Sequence, residues 1–360
     1  MKKLYTLVIL FSFSLLFTPF TSNAQDKEKA EKLVNEGVAY HDKGDYEGAL
    51  KKYDKALTLD KDNLMALAEK GMTLLALDKY EESAACCQLA LDKHSGDKDL
   101  KSVYVTYGNA LDALKKTDKS IEIYEEGIKQ FPDYYQLHFN KGITLSSVKS
   151  YDEALLCFQK SAKLNPRHPG THNALARILN ANKKRIPSLL AYCRFFVLEP
   201  QSDRAKVNLE SLQTLMNVGI EKTGKKSITI NVTSDMLSDT LEDGSRKENS
   251  FSSTDLLLSM DAGLDFDKKN KKDTEVEKFI RKFETVCSSL KETKKDNFGF
   301  YWDYYVPYFV EMKEKGFIET FAYITFATSS DETVAKWLKA HKSEIDKFYD
   351  WSGEYDWTIK

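Results

Sequence analysis

The hydrophobic and polar positions of this chain recur with a long, fixed period over its first half. One position of each period is a small residue: Gly37, Gly71, Gly108, Gly142 and Ala176. Three of the four steps between them are equal, and the step from Gly71 to Gly108 is slightly longer. A period of about 34 residues is typical of stacked structural repeats rather than of one globular core. Each period is predicted to form two antiparallel helices joined by a short polar turn, which makes the chain all-α.

Other positions of the period keep the same register. Twelve residues after each small residue comes a second small or hydroxyl-bearing one: Ala49, Ser83, Ser120, Ala154 and Ser188. Four residues later comes an aromatic residue or a cysteine: Tyr53, Cys87, Tyr124, Phe158 and Tyr192. The small residues are expected where the two helices of a pair cross, and the larger ones between one pair and the next. Pro132, Pro166 and Pro200 close the last three periods, because proline cannot continue a helix.

This arrangement resembles the tetratricopeptide repeat (TPR) family, whose units contain Gly-x-x-Tyr, Ala-x-x-x-Phe and a closing Pro. Gly37-x-x-Tyr40 and Ala154-x-x-x-Phe158 match this pattern most literally. The closing Pro is missing from the first two units, and Phe195 stands where a small residue is expected. The predicted units are 30–63, 64–97, 101–134, 135–168 and 169–202. The resemblance implies a TPR superhelix, an α-solenoid whose concave wall is formed by the first helix of each unit.

The resemblance also implies a groove that binds protein or peptide segments. In the family, positions 2, 5, 9 and 12 of each first helix usually face the concave side. The groove residues transferred by register are Val34, Val38, Met72, Val105, Asn109, Phe139, Ile143, Asn173 and Arg177. Members that bind the acidic C-terminus of a chaperone have Lys and Asn at positions 5 and 9 of the first unit, so Val34 and Val38 argue against that clamp. An apolar wall with amide donors suits an extended or helical apolar segment, although Phe139 could instead pack against the next repeat.

The period is lost after Pro200. Residues 204–220 are predicted to form a helix that caps the array, and the alternating residues 226–232 a short strand. Residues 233–252 are rich in Ser, Asp, Glu, Gly and Lys, which is typical of a loop or hinge. The predicted domains are a signal peptide (1–24), the repeats with their cap (25–220), a linker (221–251) and a second, mostly helical domain (252–360). The two helical bodies are expected to pack separately.

The second domain contains an unusual aromatic stretch, for which we recognise no family resemblance. Twelve of the 29 residues from Phe298 to Phe326 are aromatic. Aromatic side chains bury large areas and dominate both cores and interfaces. The stretch is therefore either a packed helical core or a docking surface for a partner, a carbohydrate or the chain's own repeats. Capping boxes at Thr274-Glu275-Val276-Glu277 and Ser329-Ser330-Asp331-Glu332 predict two helix starts around it.

The first residues indicate export. Lys2 and Lys3 precede an apolar run over residues 7–20, and Ser22-Asn23-Ala24 offers a cleavage site before Gln25. The mature protein is therefore expected in the periplasm or outside the cell, without an integral membrane span. The net charge of −2 shows no basic excess for nucleic-acid binding. Of the five cysteines, Cys87, Cys157 and Cys193 fall at packing positions of the repeats, which predicts buried thiols rather than disulfides.

Patterns for catalysis, metals and cofactors are weak. His168 and His172 are four residues apart, but Pro169 and Gly170 separate them at a repeat junction. Residues 265–270 resemble a calcium loop but lack its glycine and final acidic residue. The preferred hypothesis is an exported, non-enzymatic scaffold with no cofactor. The alternative is a ligand-binding or enzymatic C-terminal domain with the repeats as a recruitment arm, which a pocket of perturbed carboxylates or tyrosines near residues 301–308 would favour.

Overall fold

The computed structural model describes residues 20–224, 228–233 and 236–358, and these are mostly helical. The chain divides into two compact units, one ending at Phe131 and the other beginning at Pro132. The residues before Phe20, where most of the predicted signal peptide falls, lie outside the described part. Helix α1 begins at Phe20 and so includes the predicted cleavage position.

The first unit consists of three helix pairs. These are α1 (Phe20–His41) with α2 (Tyr46–Leu59), α3 (Leu64–Ala76) with α4 (Tyr80–Lys93), and α5 (Lys101–Ala113) with α6 (Thr117–Gln130). Each pair packs against the next, as repeats that cannot bury their apolar faces alone must do. The extra residues of the long step from Gly71 to Gly108 form a short 3-10 helix, Lys98–Leu100, directly before α5. The insertion therefore lengthens a connection and leaves the helix pair itself unchanged.

The second unit contains two further repeats and everything that follows them. Repeat four is α7 (Tyr135–Ser147) with α8 (Tyr151–Leu164), and repeat five is α9 (Pro169–Ala181) with α10 (Arg185–Leu198). Next come α11 (Asp203–Asn217) and an antiparallel pair of short strands, β1 (Ile220–Lys222) and β2 (Ile228–Ile230). The C-terminal helices are α12 (Ser252–Gly263), α13 (Glu275–Thr293), α14 (Phe300–Tyr304), α15 (Val306–Glu314), α16 (Ile318–Thr325), α17 (Glu332–Ala340) and α18 (Lys342–Glu354).

The repeated small residues lie where the two helices of each pair cross. A Cβ atom on Gly108 would come within 2.3 Å of the Tyr124 ring, so the close approach requires glycine. A serine hydroxyl twelve residues after the small residue connects the two helices where they cross. Ser120 Oγ donates to the Gly108 carbonyl at 2.8 Å, and Ser188 Oγ donates to the Ala176 carbonyl at 2.8 Å. The spacing of the sequence is thus explained by one contact geometry, and the all-α repeat prediction is confirmed.

The turn inside each repeat has a second recurring geometry. One residue of each turn has a positive φ: Gly44, Asp78, Lys115, Lys149 and Lys183. This left-handed conformation favours glycine, because a Cβ atom crowds the following carbonyl oxygen. Only the first repeat has glycine at this turn position. The other four turns adopt the same positive φ with Asp or Lys, whose side chains disfavour that conformation.

The predicted separation of residues 252–360 from the repeats is wrong. These residues belong to the same compact unit as repeats four and five, and the unit boundary lies at residues 131–132 instead. Arg185, at the start of α10, donates from Nε to the Leu215 carbonyl at 2.6 Å and from Nη1 to Asp255 Oδ1 at 2.7 Å. One buried side chain thereby joins α10 to both α11 and α12. The polar segment before α12 connects elements that pack on each other, so it does not separate two bodies.

Several local predictions after the repeats are confirmed. Helix α11 buries Leu209, Leu212, Leu215 and Met216 and packs against α10 as the cap. Thr274 and Glu277 form the predicted capping box of α13. The capping box predicted at Ser329 is wrong, because the N-cap of α17 is Asp331, whose side chain accepts from the backbone N–H of Thr333. The predicted strand is present as β2, although residues 225–227 at its start lie outside the described part.

Cys87 and Cys193 are buried as predicted, whereas Cys157 is only half-buried. Cys287 is buried as well, and burial raises the pKa of the Cys87, Cys193 and Cys287 thiols above the usual range. Within the described ranges, no helix is long and apolar enough to span a bilayer.

Candidate functional site

A cavity of about 640 Å³ lies on the first unit, and we call it the N-terminal cavity. It is lined by Glu31, Val34 and Asn35 of α1, by residues at the start of α3, and by Lys101 and Ser102 of α5. Two repeat positions therefore recur in the wall of one cavity. Position 2 comes from three successive first helices (Glu31, Met65 and Ser102), and position 5 comes from two of them (Val34 and Ala68). These are positions that the family register assigns to the concave wall.

The N-terminal cavity is acidic. Four carboxylates line it, against the single cation Lys101: Glu31, Glu69, Asp97 and Asp99. Burial raises the pKa of Glu69 despite the nearby His41. Asp97 Oδ1 accepts from the backbone N–H of Asp99 at 2.9 Å, which fixes the loop before α5. The rim is thus rich in negative charge, and Met65, which is 52% exposed, provides apolar surface beside it.

The predicted groove residues of the first unit are not equally accessible. Val34 is only 1% exposed and belongs to the hydrophobic core of repeat one, so it shapes the floor of the cavity. Met72 is exposed, whereas Val38, Val105 and Asn109 are half-buried. Asn109 Oδ1 accepts a 2.6 Å hydrogen bond from Tyr124 Oη. The amide oxygen of Asn109 therefore orients the aromatic residue of its own repeat, whereas the prediction concerns its amide group as a donor to a ligand.

In the second unit, the predicted groove residues differ in the same way. Ile143 is 42% exposed and Arg177 is exposed, so both side chains are accessible to a partner. Phe139 is half-buried and meets the His168 ring edge-on, with centroids 4.6 Å apart, so it packs against the next repeat. Asn173 is 8% exposed and accepts from Asn208 Nδ2 of α11 at 3.0 Å. The prediction that Asn173 offers its amide to a ligand is wrong, because the capping helix covers it.

The two histidines considered as metal ligands have structural partners. His168 precedes α9 and its Nδ1 lies 2.8 Å from Thr171 Oγ1. His172 Nε2 lies 3.0 Å from the Pro166 carbonyl, and its Nδ1 lies 2.7 Å from Tyr305 Oη. Because a carbonyl only accepts, Nε2 bears the proton and Nδ1 accepts from Tyr305. Across the described ranges, no group of three or more His, Cys, Asp or Glu side chains could bind a metal ion.

The aromatic stretch packs against repeats four and five. Tyr304 Oη donates to the Ala162 carbonyl of α8 at 2.9 Å, and Tyr305 reaches His172 of α9. Burial, followed by the positive charge of Arg194, lowers the pKa of His172 to about 3. Most of the stretch is buried, although Phe298 is exposed. Of the two interpretations, the core is therefore the main one, and that core includes the chain's own repeats.

Arg194 of α10 is the cation at the centre of this layer. It is 1% exposed, and its guanidinium group lies 4.4 Å from the Trp357 ring centroid and 5.0 Å from that of Tyr308. Its Nη1 and Nη2 atoms donate at 3.2 Å to Ser352 Oγ and to the Pro166 carbonyl. Sequence reasoning missed Arg194 and the residues after α18. Their contacts join repeat five to the far end of the chain, and the repeat pattern contains no signal for such a pairing.

A second cavity, of about 530 Å³, lies beside this layer, and we call it the C-terminal cavity. Its walls include four aromatic side chains: Tyr304, Trp351, Tyr355 and Trp357. They also include four carboxylates: Asp303, Glu311, Glu354 and Asp356. Burial raises the pKa of both Tyr304 and Tyr355 above the usual range. Two perturbed tyrosines in one pocket near residues 301–308 are the feature that favours a ligand-binding C-terminal region.

Comparison with known proteins supports the repeat assignment. Residues 39–179 match the family model described as the N-terminal TPR repeats region of Psidin. The chain contains a TPR repeat region. Its fold, an all-α TPR array followed by a mostly helical region, agrees with the prediction.

The curated relatives share only part of their length with this TPR protein. The STIP1 homolog of Dictyostelium discoideum is 30% identical over 114 residues, which is 32% of this chain and 20% of the relative. The human protein O-mannosyl-transferase TMTC1 is 29% identical over 195 residues, or 53% of this chain and 22% of the relative. The chain thus spans about a fifth of the length of these two relatives.

Among solved structures, TTC0263, a TPR protein of Thermus thermophilus, is 18% identical. The match covers 51% of this chain and 98% of that chain, with a TM-score of 0.45.

Proposed function

We propose that this chain is an exported, non-enzymatic scaffold that binds a basic, partly apolar protein segment in the N-terminal cavity. The observation that supports this most strongly is the composition of that cavity. Three successive first helices line it with concave-wall positions, and its four carboxylates face one lysine. A segment with lysine or arginine side chains would compensate that charge, while Met65 and Ala68 would contact its apolar side chains.

A peptide-binding experiment tests this proposal. Three labelled peptides of equal length, with alternating Leu and Lys, Leu and Ser, or Leu and Glu, are titrated with the full chain by fluorescence anisotropy. The Leu-Lys peptide is expected to bind most tightly, and its affinity should fall as salt is added, because exposed charges are screened. Equal binding of all three peptides, or tightest binding of the acidic one, would contradict the proposal.

Two charge-neutralising variants locate the site. Glu31→Gln with Asp99→Asn removes two exposed carboxylates of the cavity and should weaken binding of the Leu-Lys peptide about tenfold, or ~1.4 kcal/mol. Glu81→Gln with Glu82→Gln on α4 makes the same charge change outside the cavity and should leave the affinity unchanged. Equal losses in both variants would indicate non-specific attraction rather than a site.

The contribution of the second unit is tested separately. Ile143 is 42% exposed, so Ile143→Arg should fold normally, since the new charge remains in water. If Ile143 is a groove residue, as predicted, the variant should lose peptide binding. A folded variant with normal binding would restrict the site to the N-terminal cavity.

The proposed export has its own test. Expression of the full sequence in a Gram-negative host should place the protein in the periplasm, with Gln25 as the first residue of the mature chain. N-terminal sequencing of the periplasmic protein checks this, and a cytoplasmic protein that retains its first residues would refute export while leaving the peptide-binding proposal open.

A further inference from the structure

The C-terminal cavity combines two chemical features, aromatic rings and carboxylates. Its volume of about 530 Å³ lies within the usual range of small-molecule sites, roughly 300–1,000 Å³. Both aromatic rings and carboxylates line it, and Lys294 is the one cation in the wall. The aromatic rings favour contact with apolar groups and the carboxylates favour a positive charge, so a ligand that meets both preferences is an organic cation.

The aromatic wall is fixed in position. Tyr308 lies behind it with ring centroids 4.9 Å from Trp351, 4.9 Å from Tyr355 and 4.8 Å from Trp357. Tyr308 is fully buried, and its hydroxyl lies 2.7 Å from Ser352 Oγ. The outer rings pack against this buried ring, which restricts their movement before a ligand enters. A preformed wall lowers the entropy cost of binding.

The carboxylates are partly oriented by the same rings. Trp351 Nε1 donates to Glu311 Oε1 at 2.7 Å, which holds one carboxylate beside the indole. Asp303 at the end of α14 and Glu354 at the end of α18 are exposed and line the cavity from different helices. Even when Arg194, which lies 4.4 Å from the Trp357 ring centroid, and Lys315, which pairs with Glu311 at 3.7 Å, are counted, the negative groups outnumber the positive ones. The charge of the site therefore favours a cation over a neutral sugar.

We propose that the C-terminal cavity binds a small alkylated ammonium ion, with its alkyl groups against the aromatic wall and its charge balanced by Asp303 and Glu354. This ligand site is separate from the N-terminal cavity and does not depend on peptide binding. Aromatic faces attract such cations through the ring quadrupole, and carboxylates at the rim add Coulomb attraction.

Isothermal titration of the full chain with choline tests the proposal, with its neutral carbon analogue 3,3-dimethylbutan-1-ol as the matched ligand. Choline is expected to bind at one site, and the neutral analogue at least tenfold more weakly, because only the charge differs. Phosphatidylcholine vesicles, in a separate sedimentation assay, distinguish a lipid headgroup from a free cation as the source. An absence of choline binding, or equal binding of the neutral analogue, would overturn the proposal.

Isosteric variants place the binding in the cavity. Asp303→Asn with Glu354→Gln should lower the affinity for choline about tenfold while leaving the fold intact, since both side chains are exposed. Asp350→Asn changes an exposed carboxylate of α18 outside the cavity and should have no effect. If the double variant binds choline as tightly as the unmodified chain, the assigned site is wrong.

Discussion

Repeats four and five contain the same residue at the same repeat position, in opposite environments. Leu156 of α8 is 66% exposed, whereas Leu190 of α10, its counterpart in the next repeat, is fully buried. The difference extends along the two helices, because α10 is buried from Arg185 to Val197 while α8 has a polar outer face. Helices α12 and α16 pack against α10 and replace the solvent there. The repeat pattern therefore determines which residues of a second helix are buried inside the array. Whether the outer face of that helix is exposed or buried depends on the helices that follow the repeats.

The largest expected effect comes from the two leucines. Leu190→Asp places a charge without a partner in a buried layer and should lower the free energy of unfolding by about 4 kcal/mol or more. Leu156→Asp changes an exposed position and should alter it by less than about 0.5 kcal/mol. Urea denaturation followed by circular dichroism compares the two. Similar losses in both variants would show that α8 is also covered in solution.

Two equivalent histidines allow the same comparison of repeats four and five, and we expect an effect on stability of intermediate size. His138 and His172 occupy the same repeat position, and each places Nε2 against the carbonyl of the preceding closing proline, at 2.8 Å and 3.0 Å. Burial lowers the pKa of both, and that of His172 to about 3, because Tyr305 and Arg194 enclose it. A histidine that is neutral when folded gains a proton on unfolding, so its stabilisation is complete above the unfolded pKa of about 6.5.

That stabilisation should be lost as the pH falls from about 6.5 towards 3, with a slope of up to ~1.4 kcal/mol per pH unit from His172. His172→Asn should flatten the pH dependence of unfolding between pH 6 and pH 4, and His138→Asn should flatten it less. Denaturation curves at several pH values give the slopes. If the unfolding free energy of His172→Asn depends on pH as steeply as that of the unmodified chain, the aromatic layer does not exclude water from His172.

The smallest expected effect on stability concerns a feature that repeats four and five share, the positive φ of one turn residue. Lys149 and Lys183 both adopt positive φ, at 65° and 58°, in the turns of repeats four and five. Replacing either with Gly relieves the left-handed strain and should stabilise the fold by about 0.5–1 kcal/mol, after the entropy cost of glycine in the unfolded chain. The thermal midpoints of the two variants should rise alike. A gain in only one repeat would show that the aromatic layer also affects the turn.

The exposure of the predicted groove positions follows the repeat register only in part. At position 9, Ile143 and Met72 are exposed, whereas Val38 and Asn109 are half-buried. Asn173 was mispredicted because α11, a neighbour outside the repeat pattern, covers it and uses its amide. The C-terminal cavity could not be predicted, because its walls come from α14, α15, α18 and the residues after α18, which no period relates.

The amino-acid sequence by itself determined the helix pairs, their register and their crossings. These depend on contacts within about one period, such as Gly108 against Tyr124, and a local contact leaves a local spacing in the sequence. It also contained an unused signal: α10 has only two charged residues, Arg185 and Arg194, and its apolar residues are spread around the whole helix, which indicates a buried helix.

Only the tertiary structure decided what buries α10 and where the cavities lie. Arg194 meets Ser352 and Trp357 from the far end of the chain, and such pairings depend on packing of whole layers rather than on spacing. The same packing joined the region after residue 252 to repeats four and five and placed carboxylates beside aromatic rings.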